Sequence, residues 1–236
     1  MSFEQLVQIQ SIDVESKQLA HRRKTLEERS LLAEAKTKRA AEQEVIDEVA
    51  AARVEAATRQ RRFEDEAQTI ATKAEADVAR LYSGEVTGMK DLQALQDEIA
   101  GLKARQESIE DNALAAMEEA EALGRRVADL EGSCSGLDGQ ITELTSKIQA
   151  SESEIDAQLA VLKQRRESEV AAVDKSLLDD YEQLQPLFGS ATVVRFDGRK
   201  CVGCPSVMPS VEVDRLKHAD SGTLEHCSEC GRIVVL

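Results

Sequence analysis

The fold is decided by residues 95–155, LQDEIAGLKARQESIEDNALAAMEEAEALGRRVADLEGSCSGLDGQITELTSKIQASESEI. Alternate steps of four and three residues along this stretch visit 18 positions, of which only Gln106 and Ser151 are polar. This spacing keeps one apolar seam along a helix, and strict heptads favour a left-handed coiled coil. The pattern is too long and too regular for a helix of an ordinary globular domain, so it predicts a long coiled coil. The seam positions are Leu95, Ile99, Leu102, Gln106, Ile109, Ala113, Ala116, Ala120, Leu123, Val127, Leu130, Cys134, Leu137, Ile141, Leu144, Ile148, Ser151 and Ile155.

Three glycines fall within residues 132–139 of this stretch. Each glycine inside a helix costs about 1 kcal/mol relative to alanine, so the segment could end or kink the helix. Cys134 and Leu137 nevertheless keep the seam in phase on both sides, which a loop would have no reason to do. The sequence therefore predicts one helix from about Lys90 to about Gln185, and it leaves a kink or break at Gly132–Gly139 open.

A first long helix is predicted over residues 3–81, which contain no Gly or Pro and carry apolar residues near heptad intervals. Residues 82–88, Tyr-Ser-Gly-Glu-Val-Thr-Gly, predict a turn. Two long helices joined by so short a turn fold back antiparallel, so residues 1–185 are predicted to form an antiparallel coiled-coil helical hairpin. Its first helix has the predicted seam positions Ile12, Leu19, Leu26, Ala33, Val45, Val49, Ala52, Ala56, Phe63, Ala67, Ile70, Ala74, Val78 and Leu81.

The distribution of charge agrees with this antiparallel pairing, and it argues against binding to nucleic acid or to membranes. A turn centred near residue 85 places the basic run at 59–62 opposite the acidic run at 107–111. The chain has a formal charge of −15, and residues 88–185 alone carry ten basic and 22 acidic residues. Such a surface repels nucleic-acid phosphates and anionic membranes. No signal peptide and no apolar run of about 20 residues is recognisable, so a cytoplasmic protein without membrane contacts is expected.

Pro186 marks a change of character, and residues 186–236 are predicted to form a small β-rich domain. Thr192 to Phe196 alternate like a strand and are followed by the turn pair Asp197-Gly198. A short helix is expected after Pro209 with Ser210 as its N-cap, and short strands are expected at 223–226 and 233–236. The helical stripe predicted to pack on this domain consists of Val170, Val173, Leu177, Tyr181 and Leu184.

Four cysteines stand in two C-x2-C pairs, Cys201-Val-Gly-Cys204 and Cys227-Ser-Glu-Cys230, which 22 residues separate. A two-residue spacer lets both sulfurs of a pair reach one metal ion from a tight turn, and two such turns supply the tetrahedral thiolates that suit Zn²⁺. The glycines at 203 and 231 lie where the backbone curls around sulfur, often at positive φ.

The cysteines therefore predict one structural zinc ion bound by Cys201, Cys204, Cys227 and Cys230. A region of about 40 residues cannot bury enough apolar surface to fold alone, and zinc supplies on the order of 10 kcal/mol or more in model peptides. Four thiolates leave no open position for a reactive water, so we expect no enzyme and no small-molecule substrate. The alternative is a redox-active dithiol pair, but no thioredoxin-like pattern surrounds either motif.

The remaining cysteine and the histidines have simpler interpretations. Cys134 lies on the seam and is predicted to be a packed core thiol, and His21 is predicted to be a solvated helix residue. His218 and His226 lie near the cysteines in sequence, and His226 could compete with Cys227 as a ligand.

The bases of the C-terminal region allow two interpretations. They form either a solvated mixed surface, because residues 198–236 contain equal numbers of acids and bases, or a face that contacts nucleic acid. These bases are Arg199, Lys200, Arg215, Lys217 and Arg232.

The order of helical hairpin, tip and terminal four-cysteine motif resembles the bacterial C4-type zinc-ribbon proteins with an N-terminal coiled-coil hairpin. Three stretches carry the resemblance: the tip from Leu81 to Ile99, Cys201-Val-Gly-Cys204 followed by Met208-Pro209, and Cys227-Ser-Glu-Cys-Gly-Arg-Ile233. The resemblance implies an elongated, kinked hairpin and a zinc ribbon. It further implies nucleic-acid binding and, for some members, roles in flagellar assembly or type III secretion.

Two functions follow as expectations. The first is a non-enzymatic adaptor that binds protein partners through its ribbon and through the apolar residues of the hairpin tip, Tyr82, Val86 and Met89. The alternative is a regulator that binds RNA or DNA through Arg199, Lys200 and Arg232. The net charge of zero on residues 198–236 and the acidic second helix favour the adaptor, since nucleic-acid binding needs clustered bases. The partner, the pathway and the oligomeric state stay open.

Overall fold

The computed structural model describes residues 2–219 and 225–235. It confirms the predicted fold class, because a long helical hairpin is followed by a small C-terminal sheet. The helices are α1 (Ser2–Lys24), α2 (Glu27–Tyr82), α3 (Met89–Val170), α4 (Lys175–Phe188) and α5 (Ser210–Lys217), with a short 3₁₀ helix at Gly189–Ala191. The strands are β1 (Val193–Arg195), β2 (Glu225–His226) and β3 (Ile233–Val235).

The chain forms two compact units. The first consists of the residues up to Ser30 together with those from Leu144 onward, and the second consists of Leu31–Glu143. The boundary predicted between residues 185 and 186 falls inside the first unit, because the sheet shares a hydrophobic core with α1 and α4.

The seam of α3 is the best-predicted feature of the chain. Each of its 18 predicted positions is buried or half-buried, and none is exposed. Residues 132–139 are helical throughout, so the three glycines neither end nor interrupt α3. Their cost of about 1 kcal/mol each is small beside the cooperative seam of an 82-residue helix.

The seam of α2 departs from the predicted heptads. Ala33 is exposed and Ala35 is buried instead, so that prediction was wrong. The buried residues of α2 include steps of 11 positions, from Ala35 to Ile46 and from Ala56 to Ala67. An 11-residue step also returns to one face of a helix, because it spans three turns.

Ion pairs show the antiparallel register of the second unit. Close to the turn, Lys73 pairs with Glu98 at 2.6 Å and Arg105 with Glu66 at 2.9 Å, as a turn centred near residue 85 requires. Farther from the turn, the Arg59 side chain pairs with Glu119 at 2.8 Å rather than with a residue of the acidic run at 107–111. A long side chain leans toward the N-terminus of its own helix, which carries the Arg59 guanidinium away from the turn and past that run.

The helix predicted over 3–81 is interrupted at Thr25 and Leu26, so its continuity was wrong. The Thr25 hydroxyl donates to the His21 carbonyl at 3.0 Å. Arg29 Nε donates to the Arg23 carbonyl at 3.3 Å. Side chains thus bind carbonyls in the last turn of α1, which is how a helix end is satisfied without continuing the helix.

The helix predicted to reach Gln185 ends at Val170 and restarts at Lys175, so this continuity was also wrong. Glu167 and Glu169 occupy the last turn of α3, where negative charge opposes the helix dipole. Asp174 then adopts an extended conformation, with φ −61° and ψ 136°, and its carbonyl begins the hydrogen bonds of α4.

The sheet has the strand order β1-β3-β2, with β1 parallel and β2 antiparallel to β3. Val193 and Ile233 face α1 and α4, where Leu177 and Tyr181 of the predicted stripe are buried with Leu6 and Ile9. The stripe therefore packs on the sheet, as predicted. The opposite face, with Val194 and Val234, packs against the cysteines and α5, as the two-residue period of a strand requires.

Two details of this region differ from the prediction or lie beyond it. Pro209 is the residue before α5 and its carbonyl accepts from Glu212 and Val213, so Ser210 is the first helical residue and not the cap. The fixed φ of proline suits this position. Thr223, Leu224 and Leu236, predicted in strands, lie outside the described residues.

Gln10 of α1 fixes β1 to the helices. Its Nε2 donates to the Val193 carbonyl at 2.9 Å, and the Val193 N–H donates to its Oε1 at 2.6 Å. The side-chain amide thus takes the place of a neighbouring strand. Both Val193 groups would otherwise be left without these partners beside a buried core.

We expect Gln10→Leu to destabilise the first unit by about 1–3 kcal/mol, because two main-chain groups lose their hydrogen bonds. Urea denaturation, with a fluorophore attached to the sheet, would measure the loss. Gln8→Leu is the matched control, since Gln8 is exposed on the same helix. Equal stability of the two variants would contradict the role of Gln10.

Candidate metal centre

The structure brings the four cysteines of the two C-x2-C pairs together. Their sulfur atoms all lie within 4.8 Å of one another, and those of Cys201 and Cys230 are 3.9 Å apart. Metal–sulfur bonds of about 2.3 Å in a tetrahedron place sulfurs about 3.8 Å apart, so the group has the dimensions of a four-thiolate site. Among the described residues, no His, Asp or Glu side chain belongs to this group of possible metal ligands.

The first pair lies on a tight β-hairpin that follows β1. Phe196 bridges to Cys201, and the Asp197 N–H donates to the Lys200 carbonyl across the turn. The Asp197 carboxylate accepts from the main-chain N–H groups of Arg199 and Lys200 at 2.9 and 2.8 Å, which lower its pKa. The predicted Asp197-Gly198 turn is confirmed, with Gly198 at φ 88°.

The second pair lies on a turn that joins β2 to β3. The Cys227 N–H donates to the Arg232 carbonyl at 2.9 Å, and the Gly231 N–H donates to the Cys227 carbonyl at 2.8 Å. Gly231 has φ 73°, as predicted, a conformation that a side chain disfavours.

Gly203 is required for a different reason. Positive φ among the described glycines occurs at residues 84, 189, 198 and 231, so the prediction of positive φ at Gly203 was wrong. A Cβ atom there would lie 2.6 Å from Val194 Cγ1 and 2.8 Å from Arg232 Cδ. The Gly203 N–H also donates to Cys201 Sγ at 3.3 Å. Close approach of the backbone to β1 and Arg232 therefore explains the glycine.

We expect Gly203→Ala to weaken metal binding and to destabilise the sheet by about 1–3 kcal/mol, because the new methyl group overpacks this contact. Gly136→Ala is the contrasting variant, since a Cβ there meets no atom within 4 Å. It should stabilise α3 by about 1 kcal/mol. A competitive chelator titration and thermal unfolding would measure both effects, and an alanine tolerated equally at both positions would contradict them.

The thiols differ in their acidity. Burial raises the pKa of Cys201 to about 12 and also raises that of Cys227. Burial acts in the same direction on Cys230, but hydrogen bonds from the Arg232 main chain and side chain lower its pKa to about 7. Buried thiolates become stable next to a bound cation, so metal binding must release protons and must weaken as the pH falls.

The histidines are placed away from this group. His226 Nε2 lies 2.8 Å from Asp180 Oδ2 of α4, and His218 Nδ1 lies 2.8 Å from the Asp214 carbonyl. His21 is exposed, as predicted. Cys134 is buried on the seam, as predicted, and its thiol lies 3.6 Å from Glu42 Oε2.

The basic residues separate into two groups. The Arg232 guanidinium lies 4.6 Å from the centroid of the Phe188 ring, and Arg215 pairs with Glu212 and with the buried Glu225. Arg199, Lys200 and Lys217 are exposed.

Of the three apolar residues predicted to contact a partner at the turn between α2 and α3, two are exposed. Tyr82 is 82% exposed and Met89 is 85% exposed, whereas Val86 is half-buried. Gly84 has φ 79°, and the Ser83 hydroxyl accepts from the Glu85 N–H while donating to the Arg80 carbonyl. These local bonds define the turn, so Tyr82 and Met89 flank an ordered segment.

Sequence reasoning missed three residues that support this region: Gln10, Asp180 and Asp13. Asp13 accepts from Arg166 Nε at 2.7 Å and from the Tyr181 hydroxyl at 3.0 Å. Each has a partner at least 46 positions away in sequence. In the sequence, these three residues lie on predicted helices next to apolar residues. That position indicates that they are near a packed face, but it does not indicate which distant residue each one contacts.

No helix among residues 2–219 and 225–235 is long and apolar enough to cross a membrane.

Known proteins of similar sequence and structure span nearly the whole chain. The chain is 26% identical over 233 residues to "Uncharacterized protein Rv2229c" of Mycobacterium tuberculosis, an alignment that covers 98% of this chain and 93% of that protein. A solved structure from Mycobacterium smegmatis matches with a TM-score of 0.82 and 25% identity, covering 99% of this chain and 97% of the other.

A more distant structure shows the fold alone. CT398 from Chlamydia trachomatis matches with a TM-score of 0.70 at 18% identity, covering 99% of this chain and 97% of that chain. Residues 9–188 match the family described as the CT398-like coiled coil hairpin domain. This match extends over most of the 236 residues and includes all of α2, α3 and α4. The chain therefore belongs to the CT398-like coiled coil hairpin family.

Proposed function

We propose that the protein is a non-enzymatic adaptor whose C-terminal sheet is a zinc ribbon. The four sulfurs within 4.8 Å of one another carry the metal assignment. Four thiolates in a tetrahedral arrangement suit Zn²⁺ or iron, and zinc is the usual ion of two C-x2-C pairs. The ion would be held by Cys201, Cys204, Cys227 and Cys230, and it would supply stability to the sheet, because a closed set of thiolates leaves no position for substrate.

The hairpin turn supports binding to a protein partner. Tyr82 and Met89 are among the most exposed large apolar side chains of the described chain. Tyrosine and methionine are enriched at protein interfaces, where an aromatic or flexible apolar side chain fills a pocket of the partner. The adaptor would thus contact one partner through the turn and another through the ribbon.

The alternative function, binding of RNA or DNA, has less support. Of the three bases assigned to it, Arg232 stacks on Phe188 and supports Cys230, which leaves Arg199 and Lys200 as exposed cations. The chain as a whole has a charge of −15, which opposes binding to phosphates.

The adaptor is tested with Tyr82→Ser combined with Met89→Ser. Loss of both anchors should reduce crosslinked capture of a protein partner from native cells about tenfold or more, since interface anchors dominate binding energy. Val54→Ser with Leu114→Ser is the matched control, because both residues are exposed on the helices away from the turn.

Parallel captures with and without nuclease treatment separate the two functions. The adaptor predicts capture that nuclease leaves unchanged. Capture that nuclease removes, and that Arg199→Glu with Lys200→Glu abolishes while the tip variant does not, would replace the adaptor with the nucleic-acid regulator. Elemental analysis should find about one zinc per chain, and iron in its place would overturn the metal assignment.

A further inference from the structure

The Arg232 side chain lies beside the metal centre without a carboxylate partner. Within the described residues, Arg232 forms no ion pair with an acid, since Glu225 pairs with Arg215 and Asp180 contacts His226. The Arg232 residue is half-buried, and its Nε atom is buried with no hydrogen-bond partner. A cation that is withdrawn from water in this way is stable only next to negative charge or to acceptors.

Two contacts fix the position of the Arg232 side chain. Its guanidinium carbon lies 4.6 Å from the centroid of the Phe188 ring, at the end of α4. Its Cδ and Nε atoms lie 2.8 and 3.4 Å from the position that a Cβ atom on Gly203 would occupy. The side chain therefore lies between the loop of the first C-x2-C pair and α4.

Arg232 also contacts the second C-x2-C pair. Its main chain and its side chain both reach the Cys230 thiol as hydrogen-bond donors. Its carbonyl accepts from the Cys227 N–H at 2.9 Å. Gly203, which its side chain contacts, donates from the main chain to Cys201 Sγ at 3.3 Å. Arg232 thus touches the loops of both pairs, and it brings a positive charge to Cys230.

A metal-loaded centre would need such a charge. Four thiolates outweigh one divalent cation by two negative charges. Cys201 is 1% exposed and Cys227 is 2% exposed, so much of this charge is held out of water. Burying charge is costly unless a group of opposite sign compensates it. The Phe188 ring covers one side of the Arg232 guanidinium, and excluding water there strengthens its attraction to the thiolates.

The other bases near the cysteines are less suited to this role. Arg199 and Lys200 are exposed, and they lie beside the Asp197 carboxylate, which accepts from both of their main-chain N–H groups. Arg215 already pairs with two carboxylates. Exposed charges are screened by water and salt, so they compensate a buried charge poorly.

We propose that Arg232 is a positioning residue of the metal centre, where it compensates the negative charge of the metal-bound thiolates through Cys230. The proposal rests on the zinc ribbon of the proposed function and names a residue that stabilises its ion. Arg232 favours Cys230 as the thiolate, and the Phe188 ring keeps the guanidinium in place. Metal affinity therefore depends on the charge of residue 232 and not on its packing alone.

Arg232→Met and Arg232→Lys separate the charge from the packing. Methionine keeps a long side chain against Phe188 and Gly203 without the charge, lysine keeps the charge, and both keep the main-chain bonds. In competition with a chromophoric chelator, full-length Arg232→Met should bind Zn²⁺ about tenfold or more weakly, as is usual when a ligand loses its outer hydrogen-bond partner. Arg232→Lys should stay within about threefold of wild type, because its ammonium is also a charged donor. Arg232→Gln, which is neutral and polar, should behave like Arg232→Met.

Co²⁺ in place of Zn²⁺ gives a second measurement, which a change of packing alone would not move. Removing a positive charge beside a thiolate raises the energy of the sulfur electrons. The sulfur-to-cobalt charge-transfer absorption should therefore move to longer wavelength in Arg232→Met and stay in place in Arg232→Lys. Arg199→Met is the matched control, since it removes an exposed base near the first pair and should change neither the affinity nor the absorption. Helical circular dichroism shows that each variant is folded.

Wild-type affinity and an unmoved absorption band in Arg232→Met would overturn the proposal alone. Equal weakening in Arg232→Met and Arg232→Lys would overturn it too, because the shape of the side chain and not its charge would then set the affinity. A wild-type protein that binds no Zn²⁺ would overturn the metal assignment, and this proposal with it. The partner contact at the hairpin turn is tested separately, by capture with Tyr82 and Met89 replaced.

Discussion

Replacing Cys201 and Cys227 together with serine is expected to abolish metal binding and to unfold the C-terminal sheet. Structural zinc contributes on the order of 10 kcal/mol in model peptides, more than a small sheet can replace by burying side chains. The loss should extend into the helices of the first unit, because Leu6, Ile9 and Tyr181 share one core with the sheet. Amide exchange should therefore quicken in α1 and α4 as well as in β1–β3.

The second unit should keep its helical circular dichroism in this variant. Its seam involves α2 and α3 only, and none of the four clustered cysteines lies within Leu31–Glu143. Cys134→Ser is the control, since this thiol is buried on the seam and is not in the cluster. Full metal content in the double variant would show that Cys201 and Cys227 do not hold the ion. Unchanged amide exchange in α1 would show that the helices do not depend on the sheet.

The seam and the metal group could be predicted because each depends on spacing within the chain. A heptad repeat fixes which face of a helix is buried whatever its partner is, so positions such as Ile109 and Ile155 are buried as expected. The two cysteine pairs are equally local, because a two-residue spacer determines how both sulfurs of a pair reach one point.

The helix breaks and the core that joins the sheet to the helices could not be predicted. Thr25 is an ordinary residue for a helix surface, and its break is maintained by local bonds that the sequence does not distinguish from solvent contacts. In the sequence, Gln10 is one of several polar residues on a predicted helix. Its hydrogen-bond partner, Val193, is 183 residues away. Such contacts depend on where the fold places two distant segments, and periodicity carries no information on that.

Asp13→Ala is expected to destabilise the first unit by roughly 3 kcal/mol, since it leaves a buried hydroxyl without its acceptor and leaves the partly buried Arg166 with the exposed Glu182 as its remaining carboxylate. The Asp13 carboxylate joins three helices, because it accepts from Arg166 of α3 and Tyr181 of α4 while lying on α1. The Tyr181 side chain is fully buried, and its hydroxyl loses its carboxylate acceptor when Asp13 is removed. Burial and the negative charge of Asp13 also raise the pKa of Tyr181, which keeps the hydroxyl a donor at any ordinary pH.

A double-mutant cycle of Asp13→Ala and Tyr181→Phe, measured by urea denaturation, isolates this bond. Tyr181→Phe alone should cost about 1 kcal/mol, because it removes the donor and leaves a carboxylate that Arg166 still satisfies. The two losses should not add, since the variants share one interaction. Glu119→Ala provides the contrast: its pair with Arg59 is exposed and should be worth about 0.2–1 kcal/mol. A cost for Asp13→Ala no larger than that of Glu119→Ala would mean that the Asp13 network contributes no more than a surface ion pair, and that the apolar core alone holds α1 against α3 and α4.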